Sequence, residues 1–377
     1  MKISACMIMK NEEKFLPQCL KSIKAYVDEI VIVDTGSTDR SMEIARSYGA
    51  KIYEHPWQDN FSLHRNQSIS YATGDWLFFI DCDEELISKV SPKKFRRMLK
   101  EFGPEITHCV FTMQDINGDT VVLEWNVPKL FRRGTVQYQG IVHNQPIVQE
   151  AETVPLLSDF RIKHYGYALS QDAMAKKHER TKRLLLKRLA DNPADYDAHF
   201  YLANTYAKGN DIKTAIEHAT KYIEHKQDIS TFNESIYASL LSMYMSEGRM
   251  EEARILFDVI LPTMKTDVDV CMRYVELGQK LNRGDIILHG AQMFVQAYEA
   301  HEKNPAAKGH RFTFHHDISN LSYCYYQLVC NYLGHGMHYL EKFTNAMPKL
   351  PEKQAAALTN LMNQSLKNIN ITATATS

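Results

Sequence analysis

Asp28-Glu29-Ile30-Val31-Ile32-Val33-Asp34-Thr35-Gly36-Ser37-Thr38-Asp39 is the stretch on which the fold turns. Glu29 to Val33 is a short apolar run of β-branched residues, which predicts a buried strand. It passes without a linker into an acidic, glycine-bearing turn. A helix is expected next, with Met42, Ile44, Ala45 and Tyr48 on it and Gly49 as its C-terminal stop. Upstream, Ile3 to Met9 predicts an earlier strand, and Glu12 to Tyr26 carries Phe15, Leu16, Cys19, Leu20 and Ile23 at helical spacing. Lys51 to Glu54 predicts a strand, Ser62 to Tyr71 a helix and Trp76 to Ile80 a fourth strand, which runs into Asp81-Cys82-Asp83-Glu84. This alternation is the signature of βαβ units on a parallel sheet. In such sheets ligands bind at the carboxyl ends of strands, where both acidic clusters fall. From Thr107 to Ile162, β-like pieces at Cys109 to Met113, Thr120 to Trp125 and Thr135 to Tyr138 suggest antiparallel hairpins appended to the sheet.

The second half has a different grammar. Asp195 to Lys208 and Asp211 to His225 form a helical pair around Gly209-Asn210. Asn233 to Glu247 and Met250 to Ile260 form another around Gly248, and a third is expected at Arg283-Gly284. Asn192-Pro193, Tyr201 to Tyr206 and Ala215, with Ala253 in the matching place, resemble degenerate tetratricopeptide repeats, in which each hairpin buries its small-residue face against the next. The expected division is an α/β domain over 1–170, helical repeats over 171–300, further helices over 301–350 and a partly disordered segment over 351–377. The fold class is thus α/β followed by all-α.

Composition bounds the function. The 377 residues suggest two domains and carry 44 Lys and Arg against 45 Asp and Glu, a net charge of −1. Neutrality gives no whole-protein reason to expect a polyanion partner. The seven cysteines form no Cys-x-x-Cys pair, which argues against a disulfide framework or a zinc ribbon and fits a reducing compartment. No apolar run approaches the roughly 18 residues of a membrane span. A cytoplasmic protein is expected.

Asp81-Cys82-Asp83 places two carboxylates on one turn after a strand, a hard-oxygen site for Mg²⁺ or Mn²⁺ bridging a diphosphate. Asp34 ends a strand, where its carboxylate can accept from a base N–H or a ribose hydroxyl. Ser37, Thr38 and Asp39 read equally as helix-capping residues. Lys176 to Arg188 is strongly basic and reads as a solvated helix face, a positive arm near a diphosphate or a nucleic-acid face. Leu184, Leu185, Leu186 and Leu189 are its expected buried side. The aromatic residues Tyr201, Tyr206, Tyr237 and Tyr244 read as repeat core, and His315-His316-Asp317 is assigned no role.

Met7 to Glu13, Asp28 to Asp39, His64-Arg65-Asn66 and Gly74-Asp75-Trp76 leading to Asp81-Cys82-Asp83-Glu84 lie in the order and spacing of family 2 glycosyltransferases, which the first 90 residues resemble closely. The helical half resembles the tetratricopeptide-bearing subgroup that includes the peptide S-glycosyltransferases. The resemblance implies a GT-A fold (Rossmann-like, mostly parallel), a UDP-sugar donor, Mn²⁺ or Mg²⁺, and inversion at the anomeric carbon. It implies that Asp34 binds the nucleobase, that backbone from Met9 to Asn11 lines the uridine pocket, and that Arg65 reaches the base or diphosphate. It implies that Asp81 binds ribose or metal and that Asp83 and His164 ligate the metal.

Gly140-Ile141-Val142-His143-Asn144 stands where the family has an acidic candidate base, and Asn144 cannot accept a proton. His143 or Glu124 is the replacement candidate. A Cys thiol acceptor would need less base strength. The acceptor class expected is a peptide, protein or glycan, with a homodimer through the helical domain as a candidate assembly. Two alternatives are a helical-repeat scaffold with an inactive GT-A domain, favoured by Asn144, and transfer to a lipopolysaccharide, another glycan or a DNA base.

Overall fold

The computed structural model describes residues 1–118, 120–148, 154–166, 171–225, 235–264, 267–303 and 318–331, with residues 342, 345–346, 355–356 and 359–360. His315-His316-Asp317 and almost all of 351–377 lie outside them, as does most of 301–350. Contacts divide the chain into two compact units, one of residues 1–205 with 311–313 and one of 206–310 with 314–377.

The α/β unit opens with β1 (Ile3–Met9), α1 (Leu16–Ile23), β2 (Glu29–Asp34), α2 (Ser41–Ser47), β3 (Lys51–Glu54), α3 (Phe61–Tyr71) and β4 (Trp76–Phe79). Pro17 presets the first turn of α1, and Asn60 caps α3 by accepting from Leu63 N–H at 2.9 Å. Gly49, at φ +77°, ends α2 in the left-handed conformation that glycine adopts without penalty. Next come β5 (Glu84–Ser88), α4 (Pro92–Glu101), β6 (His108–Asn117), β7 (Thr120–Arg132), β8 (Val136–Gln139), β9 (Gln145–Val148) and β10 (Leu156–His164), then the long helix α5 (Gln171–Asp191) and α6 (Tyr196–Lys208), which crosses into the second unit.

Eight strands form one sheet in the order β3-β2-β1-β4-β7-β6-β10-β5, and β8 pairs with β9 separately. The first four sheet members are parallel; β7 is antiparallel to β4 and to β6, β10 is parallel to β6, and β5 is antiparallel to β10. The hairpin β6–β7 therefore continues the sheet instead of being appended to it. Side-chain alternation splits the core in two. Ile3, Ala5, Met7, Trp76 and Phe78 pack on one face with Leu16, Leu20 and Phe95, while Cys6, Leu77, Phe79 and Phe131 pack on the other. Each such fully buried large side chain contributes about 1.5–3 kcal/mol.

The helical unit contains α7 (Ile212–His225), α8 (Ser235–Ser246), α9 (Met250–Met264), α10 (Val268–Leu281), α11 (Gly284–Lys303) and α12 (Ile318–Asn331). Three helix-to-helix turns repeat one geometry. Asn210, Gly248 and Asn282 have φ of 62°, 71° and 53°, and the following residue donates back five positions, from Asp211 to Tyr206, Arg249 to Tyr244 and Arg283 to Gly278. This is the Schellman arrangement. Ala215 and Ala253 are fully buried, as their matching positions require. The third pair comes closer: a Cβ at Gly278 would meet Ile287 at 2.8 Å, and one at Gly290 would meet Val275 at 2.8 Å.

Candidate functional site

The carboxyl ends of β1 and β2 build one wall. Asp34 ends β2, and its Oδ2 accepts from Gly36 and Ser37 N–H, both at 2.9 Å, while Oδ1 accepts from the Ser37 hydroxyl at 2.5 Å. Gly36 takes φ +105° to close this turn. Met9 ends β1, and its carbonyl accepts from Thr35 N–H at 2.8 Å. Asn11 has φ +56°; its side-chain oxygen accepts from Thr38 N–H at 2.7 Å, and its backbone N–H donates to the Ser37 hydroxyl at 3.0 Å. Met9, Asn11 and Asp34 are thus brought together in one laced pair of loops. Asp39 accepts from Ser41 and Glu13 N–H, so it does cap this junction.

The Asp81–Glu84 turn joins β4 to β5. Arg65, on α3, donates to both oxygens of Asp81 at 2.8 and 3.0 Å. Burial alone would raise the Asp81 carboxyl, but the charges of Arg65 and Lys129 outweigh it and bring it down to about 2. Lys129 on β7 donates to both oxygens of buried Glu84 at 2.7 and 2.8 Å. Burial pushes the Glu84 carboxyl up against that pairing.

Register places a third group. His164 of β10 is the partner of Asp115 on β6 and of Glu84 on β5, so these side chains share one row of the sheet. His164 Nδ1 lies 2.5 Å from Asp115 and Nε2 lies 3.4 Å from Asp83. Burial disfavours the imidazolium, yet the bonds to Asp115 and Asp83 prevail and hold it at about 10. Gly166 completes the arrangement, since a Cβ there would meet His164 Nε2 at 2.4 Å and Asp83 Oδ2 at 2.7 Å. Two of the three expected metal ligands, Asp83 and His164, therefore face each other, while Asp81 is committed to Arg65. Among the described residues no group of three His, Cys, Asp or Glu side chains converges on one point. A backed histidine facing a carboxylate, with space kept open beside them, suits a divalent cation that takes its other ligands from water and a diphosphate.

The two candidate bases are placed elsewhere. His143, at φ +47°, is exposed and stacked on Tyr201, with ring centroids 4.0 Å apart. Glu124 is exposed, accepts from Gln114 Nε2 at 2.6 Å and belongs to the sheet face opposite Asp115. Between these elements and Arg65 lies a cavity of about 180 Å³ with Trp125, Lys129, Tyr138 and Asn144 on its walls.

Several contributors escaped sequence reasoning. Asp115, Glu84 and Lys129 belong to strands far apart in the chain, and only register aligns them. Glu12 is a further case. Its carbonyl accepts from Phe15 and Leu16 N–H in the turn that leads into α1. Burial, and then the nearby charges of Asp83 and Asp81, raise its carboxyl to about 8. The basic helix α5 is partly engaged within its own unit. Arg183 pairs with Asp59 at 2.6 Å, Arg188 pairs with Asp195 and donates to Val142 O, and Arg180 lies over the Phe61 ring. Leu184 and Leu185 are buried, but Leu186 is 41% exposed, contrary to the four-leucine buried side expected.

A mostly parallel sheet with carboxylates gathered at its strand ends defines an open-sheet α/β domain, in which ligands bind at those ends. Residues 4–148 match the model of glycosyl transferase family 2. A TPR repeat-containing protein of Synechococcus elongatus is 33% identical over 222 residues, 56% of this chain and 54% of its own length. The SPbeta prophage-derived glycosyltransferase SunS of Bacillus subtilis is 25% identical over 274 residues, 71% of this chain and 64% of its own. The chain thus spans less than two thirds of the length of these relatives. A solved glucosyl-3-phosphoglycerate synthase of Mycobacterium tuberculosis, in complex with Mn²⁺, UDP-glucose and phosphoglyceric acid, is 25% identical over 31% of this chain and 45% of that one. Its TM-score of 0.24 is too low for the likeness to bear on function. Among the described residues no helix is long and apolar enough to cross a membrane.

Proposed function

We propose that the α/β unit transfers a sugar, with inversion, from a UDP-sugar to a peptide or protein side chain. The observation that carries this reading is the row Asp115–His164–Asp83 beside the Arg65–Asp81 pair, at the strand ends where a metal-bound diphosphate belongs. Asp83 and His164 would hold Mn²⁺ or Mg²⁺, with Asp115 fixing the imidazole. When bound, the cation neutralises charge on the departing diphosphate. Asp34 and the Met9–Asn11 backbone would face the uridine, and Arg65 holds Asp81 ionised and in place.

His143 and Glu124 carry less weight as bases than the sequence suggested, because one is stacked on Tyr201 and the other faces away from Asp115. An acceptor that ionises readily, such as a Cys thiol, fits a site whose Asn144 cannot take a proton. The helical unit supplies a repeat surface of the kind that suits an extended peptide or a second copy of the chain. The cytoplasm is the compartment proposed, from the free buried cysteines among the described residues.

A thermal-shift titration of UDP-sugars with and without Mn²⁺ tests this. A true donor at a hundredfold excess over its dissociation constant stabilises by about 2.7 kcal/mol. Asp83→Ala is expected to remove the metal-dependent part of that shift. A metal-dependent shift unchanged in Asp83→Ala overturns the site assignment. Absence of both UDP binding and UDP release overturns the enzyme reading in favour of a repeat scaffold.

A further inference from the structure

The cavity beside Arg65 has a chemistry of its own. Two polar atoms on its lining residues, Arg65 Nε and Asn144 Nδ2, are buried without a hydrogen-bond partner among the described residues. A buried donor left unpaired is costly, and a ligand that accepts from it recovers the loss. The cations on the cavity wall are already neutralised: Arg65 by Asp81 at 2.8 Å, and Lys129 by Glu84 at 2.7 Å. The rest of the lining offers the neutral amides of Asn144 and Gln145, the unpaired Nε–H of Arg65, and the ring walls of Trp125, Pro128 and Tyr138.

At about 180 Å³ the cavity is smaller than the roughly 300–1,000 Å³ that takes a drug-sized molecule. It has space for about six waters at about 30 Å³ each, comparable to one hexose ring with its hydroxyls. It shares Arg65 and Lys129 with the turn that carries Asp81 and Glu84, so a group here would be next to a diphosphate at that turn.

We propose that this cavity holds the hexose of the donor, and that Asn144, with Arg65 Nε, selects a neutral hexose over a hexuronate. The inference rests on the glycosyltransferase reading above. Asn144, which cannot accept a proton, acts here as a positioning residue. Its amide fixes the ring through a hydroxyl oxygen. A hexuronate would bring a carboxylate into a cavity whose two cations are already paired, and would lose its hydration without gaining a countercharge.

The test titrates the full chain by calorimetry, with Mn²⁺, against UDP, UDP-glucose, UDP-galactose, UDP-N-acetylglucosamine and UDP-glucuronate. The tightest neutral donor is expected to bind at least about tenfold more tightly than UDP-glucuronate. Asn144→Leu, nearly isosteric, is expected to weaken that neutral donor about tenfold while UDP affinity changes less than about twofold. Retained UDP binding also shows that the variant folds, and Asn144→Ser is expected to fall between the two. Equal affinity for UDP-glucuronate, or an Asn144→Leu variant that keeps the neutral donor's affinity, overturns the proposal. So does a folded variant that loses UDP and UDP-hexose alike. Failure of the wild type to bind UDP is a different result, because it removes the glycosyltransferase reading itself.

Discussion

The two units hold themselves together in different ways. At its functional end the α/β unit depends on groups that occur once: Glu84 with Lys129, Asp81 with Arg65, and His164 between Asp115 and Asp83. The helical unit depends on one turn made three times, at Asn210, Gly248 and Asn282, with small residues where helices touch. Single charges set by register give a precise site that tolerates little. Repeated apolar hairpins spread the same stabilisation over many equivalent contacts. The candidate site lies where the structure is not repeated.

The largest test of this contrast is Lys129→Met. It leaves Glu84 buried and uncompensated, so a loss of about 3–5 kcal/mol in urea unfolding is expected. Adding Glu84→Gln is expected to recover much of it, because both charges are then gone. A loss below about 1 kcal/mol in the single variant would remove the contrast.

Gly278→Ala comes next. Its Cβ would meet Ile287 at 2.8 Å, including backbone nitrogen, so a loss of about 1–3 kcal/mol is expected in thermal unfolding. Gly284, at the start of α11, has nothing within 4 Å of such a Cβ, and Gly284→Ala is expected to change little. Equal effects from the two would mean that close helix approach does not limit this unit.

Proton linkage gives the smallest effect per step. His164 is raised from its ordinary 6.5 to about 10, so its pairing stabilises the metal-free protein fully below about 6.5 and is lost as the pH climbs toward 10. A cation needs the neutral ring, so metal binding displaces a proton and Mn²⁺ affinity is expected to rise about tenfold per pH unit, or about 1.4 kcal/mol. Between pH 6.5 and 9, metal-free stability should fall while Mn²⁺ affinity rises. Calorimetry in two buffers of different ionisation enthalpy measures the released proton. An affinity independent of pH contradicts His164 as a ligand.

Legibility in the sequence followed the same division. The segment from Ile3 to Phe79 could be read because each element is local: apolar runs for β1, β2 and β4, and helical spacing between them. The strand β5 escaped because it opens on Glu84-Glu85, and nothing in the chain signals that Glu84 meets Lys129 across two intervening strands. The site was half legible. Asp34, Asp81, Asp83 and His164 carry motif signals, whereas Asp115 is an ordinary strand residue until β10 aligns beside β6. Asn144 stood out by chemistry, but its unpaired amide is visible only in three dimensions. The helix pairs were legible by period, and their shared turn geometry was not.

Those three turns also say something about how the chain can change over time. They are separated by 38 residues (210 to 248) and then 34 (248 to 282). Each hairpin keeps the same turn, while the spacing from one turn to the next shortens by four residues. A chain built from such hairpins can therefore absorb a change of four residues between successive turns while the turn itself is kept.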